Sequence, residues 1–236
     1  MIALFAAASI VIQGMQPYPL KVHAADSVVN TYRGSLNANE ISNNSKYADL
    51  SNNHWAIEPI ARMTAINLVK GTTTNGVRRL EPNRALTKEQ ALAFVVRLVA
   101  SEEQAQLEAE NLERTNQYGE GISKYWYTGY LKVASDLGLI TQNDLRDALT
   151  QPEVDEDGNT IDLELDFDRT SPVSREQVVE WVVKAISQVR PELIQPIYTS
   201  QNILNYQDYK NITPSRTPFV EAALELPSLM DMFMGN

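Results

Sequence analysis

Thr87-Lys88-Glu89-Gln90 and Ser174-Arg175-Glu176-Gln177 are the two stretches whose reading decides the fold. In each, a hydroxyl residue stands three positions ahead of a glutamine. That is the spacing of a capping box, in which the hydroxyl accepts from the third helical amide and the third side chain accepts from the cap amide. An apolar run at helical spacing follows each of them. After Thr87 the inward positions are Ala91, Leu92, Phe94, Val95 and Leu98, and after Ser174 they are Val178, Val179, Trp181, Val182 and Ile186. Each box also places a cation, Lys88 or Arg175, at the first helical position. There it adjoins the partial positive charge of the helix N-terminus, about half an elementary charge. An incoming carboxylate relieves that repulsion and gains free backbone N–H groups. Arginine can hold a carboxylate with two parallel hydrogen bonds, whereas lysine offers a point charge. On this reading Arg175 contributes more than Lys88.

Working outward, the first start belongs to a unit that recurs. It opens at Tyr47-Ala48-Asp49-Leu50, passes His54-Trp55-Ala56, and enters a helix carrying Ile57, Ile60, Met63, Ala65, Ile66 and Leu68. Pro59 is tolerated only in the first turn, so that helix begins close to it. Gly71 closes the helix, and residues 72–76 read as a turn-rich loop before Leu80-Glu81-Pro82 and the Thr87 start. The second helix is expected to run on through Ala100 to Arg114. In the second unit Trp126 opens a helix with Tyr130, Leu131, Val133, Ala134 and Leu137, ended by Gly138-Leu139-Ile140. A longer loop then leads through Phe167-Asp168-Arg169 to Ser174. The third unit begins at Tyr206-Gln207-Asp208-Tyr209, has a helix with Val220, Ala222, Ala223 and Leu224, and reaches Met234-Gly235 without a third helix start.

This order of residues resembles the S-layer homology family. The likeness lies in Tyr47-x-Asp49, His54-Trp55-Ala56, Gly71, Leu80-x-Pro82 and Thr87-Lys88-Glu89-Gln90, then Trp126, Gly138-Leu139-Ile140, Phe167 and Ser174-Arg175-Glu176-Gln177. The third unit matches at Tyr206-x-Asp208 and Val220-Glu221-Ala222-Ala223-Leu224. The resemblance implies an all-α fold of helix-loop-helix repeats in a pseudo-threefold, three-pronged arrangement, with the third repeat incomplete. It also implies non-catalytic anchoring to a pyruvylated secondary cell-wall polymer of a Gram-positive-type bacterium, through grooves between the prongs. The basic residue of the helix start, Lys88 or Arg175, would meet the acidic sugar. Trp55 and Trp126 would stack on a sugar ring or pack in the core. Asp49 and Asp208 would hydrogen-bond the glycan or hold a turn. The chain departs from the family pattern in carrying Gln90 and Gln177 where glutamate is usual.

Composition agrees with a binding module rather than the commonest catalytic designs. The chain has 236 residues, a formal net charge of -10, no cysteine and two histidines. A broad nucleic-acid surface is unexpected at that charge, thiolate chemistry is ruled out by residue type, and a multi-histidine metal site is nearly excluded by having only two histidines. Neither a cofactor nor a metal site is expected. The apolar segment from Ile2 to Ile12 is too short to span a bilayer and reads as a secretion signal cleaved near Ala24. The expected organisation is a signal at 1–24, a flexible lead-in at 25–46, repeats at 47–117 and 118–197, and a partial repeat at 198–236. No stable membrane span is expected. The acidic stretch holding Glu153, Asp155, Asp157 and Glu164 could be a calcium loop, but Asp157-Gly158 within an alternating pattern favours a small β-hairpin in the second repeat loop. The alternatives to glycan anchoring are a structural protein packing against other S-layer or surface proteins, or the anchor of a larger cell-wall enzyme.

Overall fold

A computed structural model of the chain describes residues 46–65, 67–100, 102–151, 155–157, 165–191, 194 and 202–226. The expected signal, nearly all of the lead-in, and Met234-Gly235 lie outside them. Regular structure among the described residues comprises α1 (Ile57–Ala65), β1 (Thr72–Thr74), β2 (Val77–Arg79), α2 (Lys88–Val99) and α3 (Glu102–Thr115), then α4 (Thr128–Asp136), α5 (Gln142–Leu149), α6 (Arg175–Val189) and α7 (Thr217–Glu225). The protein is therefore mostly helical, with one two-stranded sheet among these residues. None of these helices is long and apolar enough to cross a membrane.

The sheet is where the sequence reading needs correcting. It lies in the first loop, where Thr72, Thr73 and Thr74 pair antiparallel with Arg79, Arg78 and Val77. Asn75 and Gly76 turn the chain with φ of 52° and 74°. Two consecutive left-handed residues define the hairpin turn that matches strand twist, and Asn-Gly is its preferred pair. The expected second-loop hairpin falls on residues 152–154 and 158–164, outside the described residues. At 155–157 the chain makes a turn in which the Asp157 amide donates to Asp155 Oδ1 at 3.0 Å.

Two apolar clusters result. The smaller joins Tyr47, Leu50 and Ile60, with Ala56, Ile57 and Leu80 packed against them. Tyr47 and Thr64 share a buried hydroxyl hydrogen bond of 2.8 Å. Gly71 is obligatory here: its φ is 67°, and a Cβ would lie 2.4 Å from the Arg79 carbonyl oxygen. The larger cluster gathers Leu92, Val95 and Val96 of α2, Leu131 and Val133 of α4, Leu145 and Leu149 of α5, and Trp181 and Ile186 of α6. Fully burying each such side chain contributes about 1.5–3 kcal/mol, so this cluster dominates the stability. The inward positions expected for α2 and α6 accordingly lie in it or pack against it, apart from Val179, which is half-buried.

Three helix boundaries differ from expectation. The helix from Thr87 does not run through to Arg114. It stops at Ala100, whose φ and ψ of -133° and 165° are extended, and a separate helix begins at Glu102. The redirected α3 buries Ala105, Ala109 and Leu112. Its contact with α4 is so close that a Cβ on Gly129 would meet the Ala105 carbonyl oxygen at 1.7 Å. A polar chain holds the bend: Lys70 pairs with Glu102, the Tyr130 hydroxyl donates to Glu102 at 2.8 Å, and Arg97 Nε donates to the Tyr130 oxygen at 3.1 Å. Second, Trp126 precedes rather than opens α4, which begins at Thr128. Third, the stretch after Ile140, read as loop, contains α5. Its Thr141 and Asp144 form a complete capping box, with bonds of 3.1 and 2.7 Å.

Candidate functional site

The two helix starts meet in space. Thr87 and Pro172 form an antiparallel bridge, and the Val173 amide donates to the Leu86 carbonyl at 2.9 Å. The loop ahead of α6 thereby lies across the N-terminus of α2. Its carbonyls accept from the first two helical amides there, Lys88 to Ser171 and Glu89 to Arg169, both at 3.0 Å. The third amide, of Gln90, donates to the Thr87 hydroxyl, and Gln90 Oε1 accepts from the Thr87 amide at 3.2 Å. The expectation of free backbone N–H groups at this helix end is thus corrected. A tertiary neighbour has taken all three.

Arg169 locks that arrangement. Its guanidinium pairs with Glu89 at 2.7 Å, donates through Nε to the Ala148 carbonyl at 3.1 Å, and lies 4.0 Å over the Tyr127 ring. Two residues earlier, Phe167 is buried and receives the Lys88 ammonium 4.7 Å above its ring. An ammonium over an aromatic face is attracted by the ring quadrupole.

This places Lys88 in a groove of about 680 Å³ lined from α2, α4, α5, α6 and the turn ahead of α7. The buried Phe167 and Trp181 border it from the core side, and Gln177, from the second helix start, reaches the same groove. Lys184 and Arg216 line it as well, but both are matched by acids. Lys184 pairs with Glu180 at 2.6 Å, and Arg216 pairs with Glu176 at 2.7 Å and with Glu180 at 3.0 Å. Glu176 also accepts from the Thr213 hydroxyl at 2.6 Å and the Thr213 amide at 2.8 Å. Those two bonds, with Arg216 beside them, hold its carboxyl down from the ordinary 4.5 to about 2. Lys88 alone among the groove's three cations has no carboxylate within ion-pair distance among the described residues.

The other residues singled out from sequence are scattered. Arg175 is exposed at the start of α6, outside the lining of this groove. The Ser174 hydroxyl accepts from the Gln177 amide at 3.3 Å without the return bond seen at Thr87. Trp55 is 88% exposed and stacks on His54, and Trp126 is 51% exposed, so neither is a core residue. Trp126 lines a second, more apolar groove of about 640 Å³ together with Phe94, Gln90 and Arg97. Asp49 accepts from the amides of Leu80 and Glu81 at 2.9 and 2.7 Å, tying the start of the first unit to the strand exit. The Leu80 amide is the main reason its carboxyl is held low. Asp208 is exposed at the head of a single 3-10 turn, Tyr209–Asn211.

Phe167, Lys184 and Arg216 were not picked as site residues from the sequence. Phe167 stood only in the repeat pattern, Lys184 lies within α6 and Arg216 in the turn ahead of α7, and neither cation has a motif around it. Among the described residues, no group of three or more acidic or histidine side chains could hold a metal ion. Searches of family models, curated proteins and solved structures found no match to this chain.

Proposed function

We propose that this chain is a non-catalytic, secreted anchoring module that binds a pyruvylated secondary cell-wall polymer, its helix-loop-helix units arranged around a pseudo-threefold axis in the manner of S-layer homology domains. The observation that carries the reading is the placement of Lys88. It is an ammonium with no carboxylate within ion-pair distance among the described residues, Asp168 acting on it at longer range, and it is held over Phe167 in a groove large enough for sugar units. A carboxylate on a sugar would supply a close counter-charge to that ammonium. Arg175, expected to outrank Lys88, becomes the secondary contact because it lies outside the groove. Trp126, in the neighbouring groove, offers a stacking surface for a further sugar unit. The protein would act at the cell wall, alone or beside other surface proteins.

Co-sedimentation of the purified chain with wall polymer, with and without its pyruvyl groups, tests the reading. Binding should require the pyruvyl group. Lys88→Ala should weaken binding at least tenfold and Arg175→Ala less, with circular dichroism unchanged in both. Equal sedimentation of parent and Lys88→Ala would sink the assignment of Lys88.

A further inference from the structure

The groove that holds Lys88 carries as many carboxylates as cations among its described lining residues. Lys88, Lys184 and Arg216 stand against Asp144, Asp166 and Glu180. Glu180 is committed to both Lys184 and Arg216. Asp144 uses one oxygen to cap α5, accepting from the Thr141 amide at 2.7 Å, and makes no ion pair among the described residues. Asp166 is exposed, immediately precedes Phe167, and makes no ion pair among the described residues. Among the described residues, Lys88 therefore makes no ion pair and shares the groove with two carboxylates that no cation pairs. Asp168, beside Phe167, adds a third negative charge acting on Lys88.

A space of 680 Å³ is about 9 Å across if equally wide in each direction, comparable with the Debye length of about 8 Å at physiological salt. All of these charges therefore act on whatever enters. A ligand with one isolated carboxylate can reach Lys88 and keep the rest of its surface neutral beside the aspartates. A phosphodiester chain cannot, because each neighbouring phosphate would lie against Asp144 or Asp166. Like-charge placement of this kind discriminates by repelling the wrong partner.

We infer that Asp144 and Asp166 are specificity-determining residues, which restrict the groove to polymers with isolated carboxylates and turn away phosphodiester polyanions. The inference rests on the groove being the ligand site proposed above, and adds which anionic polymers it refuses.

The test compares binding of the full chain to immobilised pyruvylated wall polymer and to immobilised poly(glycerol phosphate) at about 0.15 M salt. The parent should not be retained on the phosphate polymer. Asp166→Asn should gain affinity for it by about fivefold, the effect of removing one charge several ångströms away in a partly aqueous groove. Asp144→Asn, which keeps an acceptor for the Thr141 amide, should gain less, and the two together more. Adding Lys88→Ala to Asp166→Asn should erase the gain. Glu120→Gln, an exposed acid outside the groove, controls for net charge and should gain nothing. A parent that binds the phosphate polymer overturns the inference. So does an equal gain in Glu120→Gln, or no gain in either aspartate variant. A parent that binds neither polymer, while Asp166→Asn gains phosphate binding through Lys88, upholds the filter and removes the wall-anchor reading instead.

Discussion

The two helix starts share a grammar of hydroxyl, cation, glutamate and glutamine, yet they end in different states. At α2 the first three amides are all bonded inside the protein, two of them to the loop ahead of α6. At α6 only the third amide is capped, and the amides of Arg175 and Glu176 meet no acceptor among the described residues. The glutamates differ in the same way. Glu89 is clasped by Arg169 from the loop that seals the helix end, whereas Glu176 is clasped by Thr213 and Arg216 from the third unit, leaving the amides open. A repeated motif thus supplies two interchangeable parts. Their roles diverge because each has a different neighbour. Sealing also underlies the proposed ranking of the cations: the sealing loop brings Phe167 and the groove to Lys88, and no comparable segment comes to Arg175 among the described residues.

The comparison can be broken hardest at Arg169. Arg169→Ala leaves Glu89, whose side chain is 13% exposed, without its cation and frees the Ala148 carbonyl. Removing one partner of a largely buried pair costs about 3 kcal/mol, so urea unfolding should show a loss of that size, and Lys88-dependent binding should fall with it. Arg175→Ala, at the open end, should leave the unfolding midpoint where it was. A midpoint unchanged by Arg169→Ala would mean that the first start is not sealed through this clasp.

A second experiment sharpens the contrast through pH. The Glu176 carboxyl is lower in the folded state than in the unfolded chain, at about 2 against 4.5. Its contribution is therefore complete above about 4.5, and is lost as pH falls towards 2, because the unfolded state binds the proton first. Stability should decline over that window, and Glu176→Gln should flatten part of the decline while costing stability at neutral pH. A decline just as steep in Glu176→Gln would assign the acid sensitivity elsewhere. The smallest effect is expected at the caps. Thr87→Ala and Ser174→Ala each lose the hydroxyl that accepts from the third helical amide, so both should cost about 1 kcal/mol. The former should cost more, because its bond is part-buried and the latter's is exposed. Thermal unfolding of the two variants side by side gives the ranking.

Much of the helical structure could be read from local chemistry. Pro59 marked the start of α1, Gly71 the turn after it, and the hydroxyl–glutamine spacing the starts of α2 and α6. Two local signals were present and went unread. Asn75-Gly76 is a hairpin turn in its own right, and Thr141 with Asp144 spells a capping box before Leu145, Ala148 and Leu149. A third lay at the break after Ala100, where Ser101-Glu102-Glu103-Gln104 repeats the hydroxyl–glutamine spacing just ahead of α3. The direction in which α3 then leaves was not legible, because it is set by the approach of α3 to Gly129 and by the Lys70–Glu102–Tyr130 chain. Of the candidate site, Lys88 and Trp126 could be named from sequence as groove residues, but Phe167, Lys184 and Arg216 could not.

What the amino-acid order by itself determined were the helix starts, because a cap is settled by atoms within four residues of each other. It determined the type of charge at each start for the same reason. Which start would be sealed, which cation would be left unpaired, and which aspartates would face it were decided only by tertiary structure. Those outcomes depend on acceptors and counter-charges that come from segments such as Arg169, 80 residues from the Glu89 it holds. The interaction of a charge with such a partner exists only once apolar burial around Leu92, Leu131 and Trp181 has brought the two segments together.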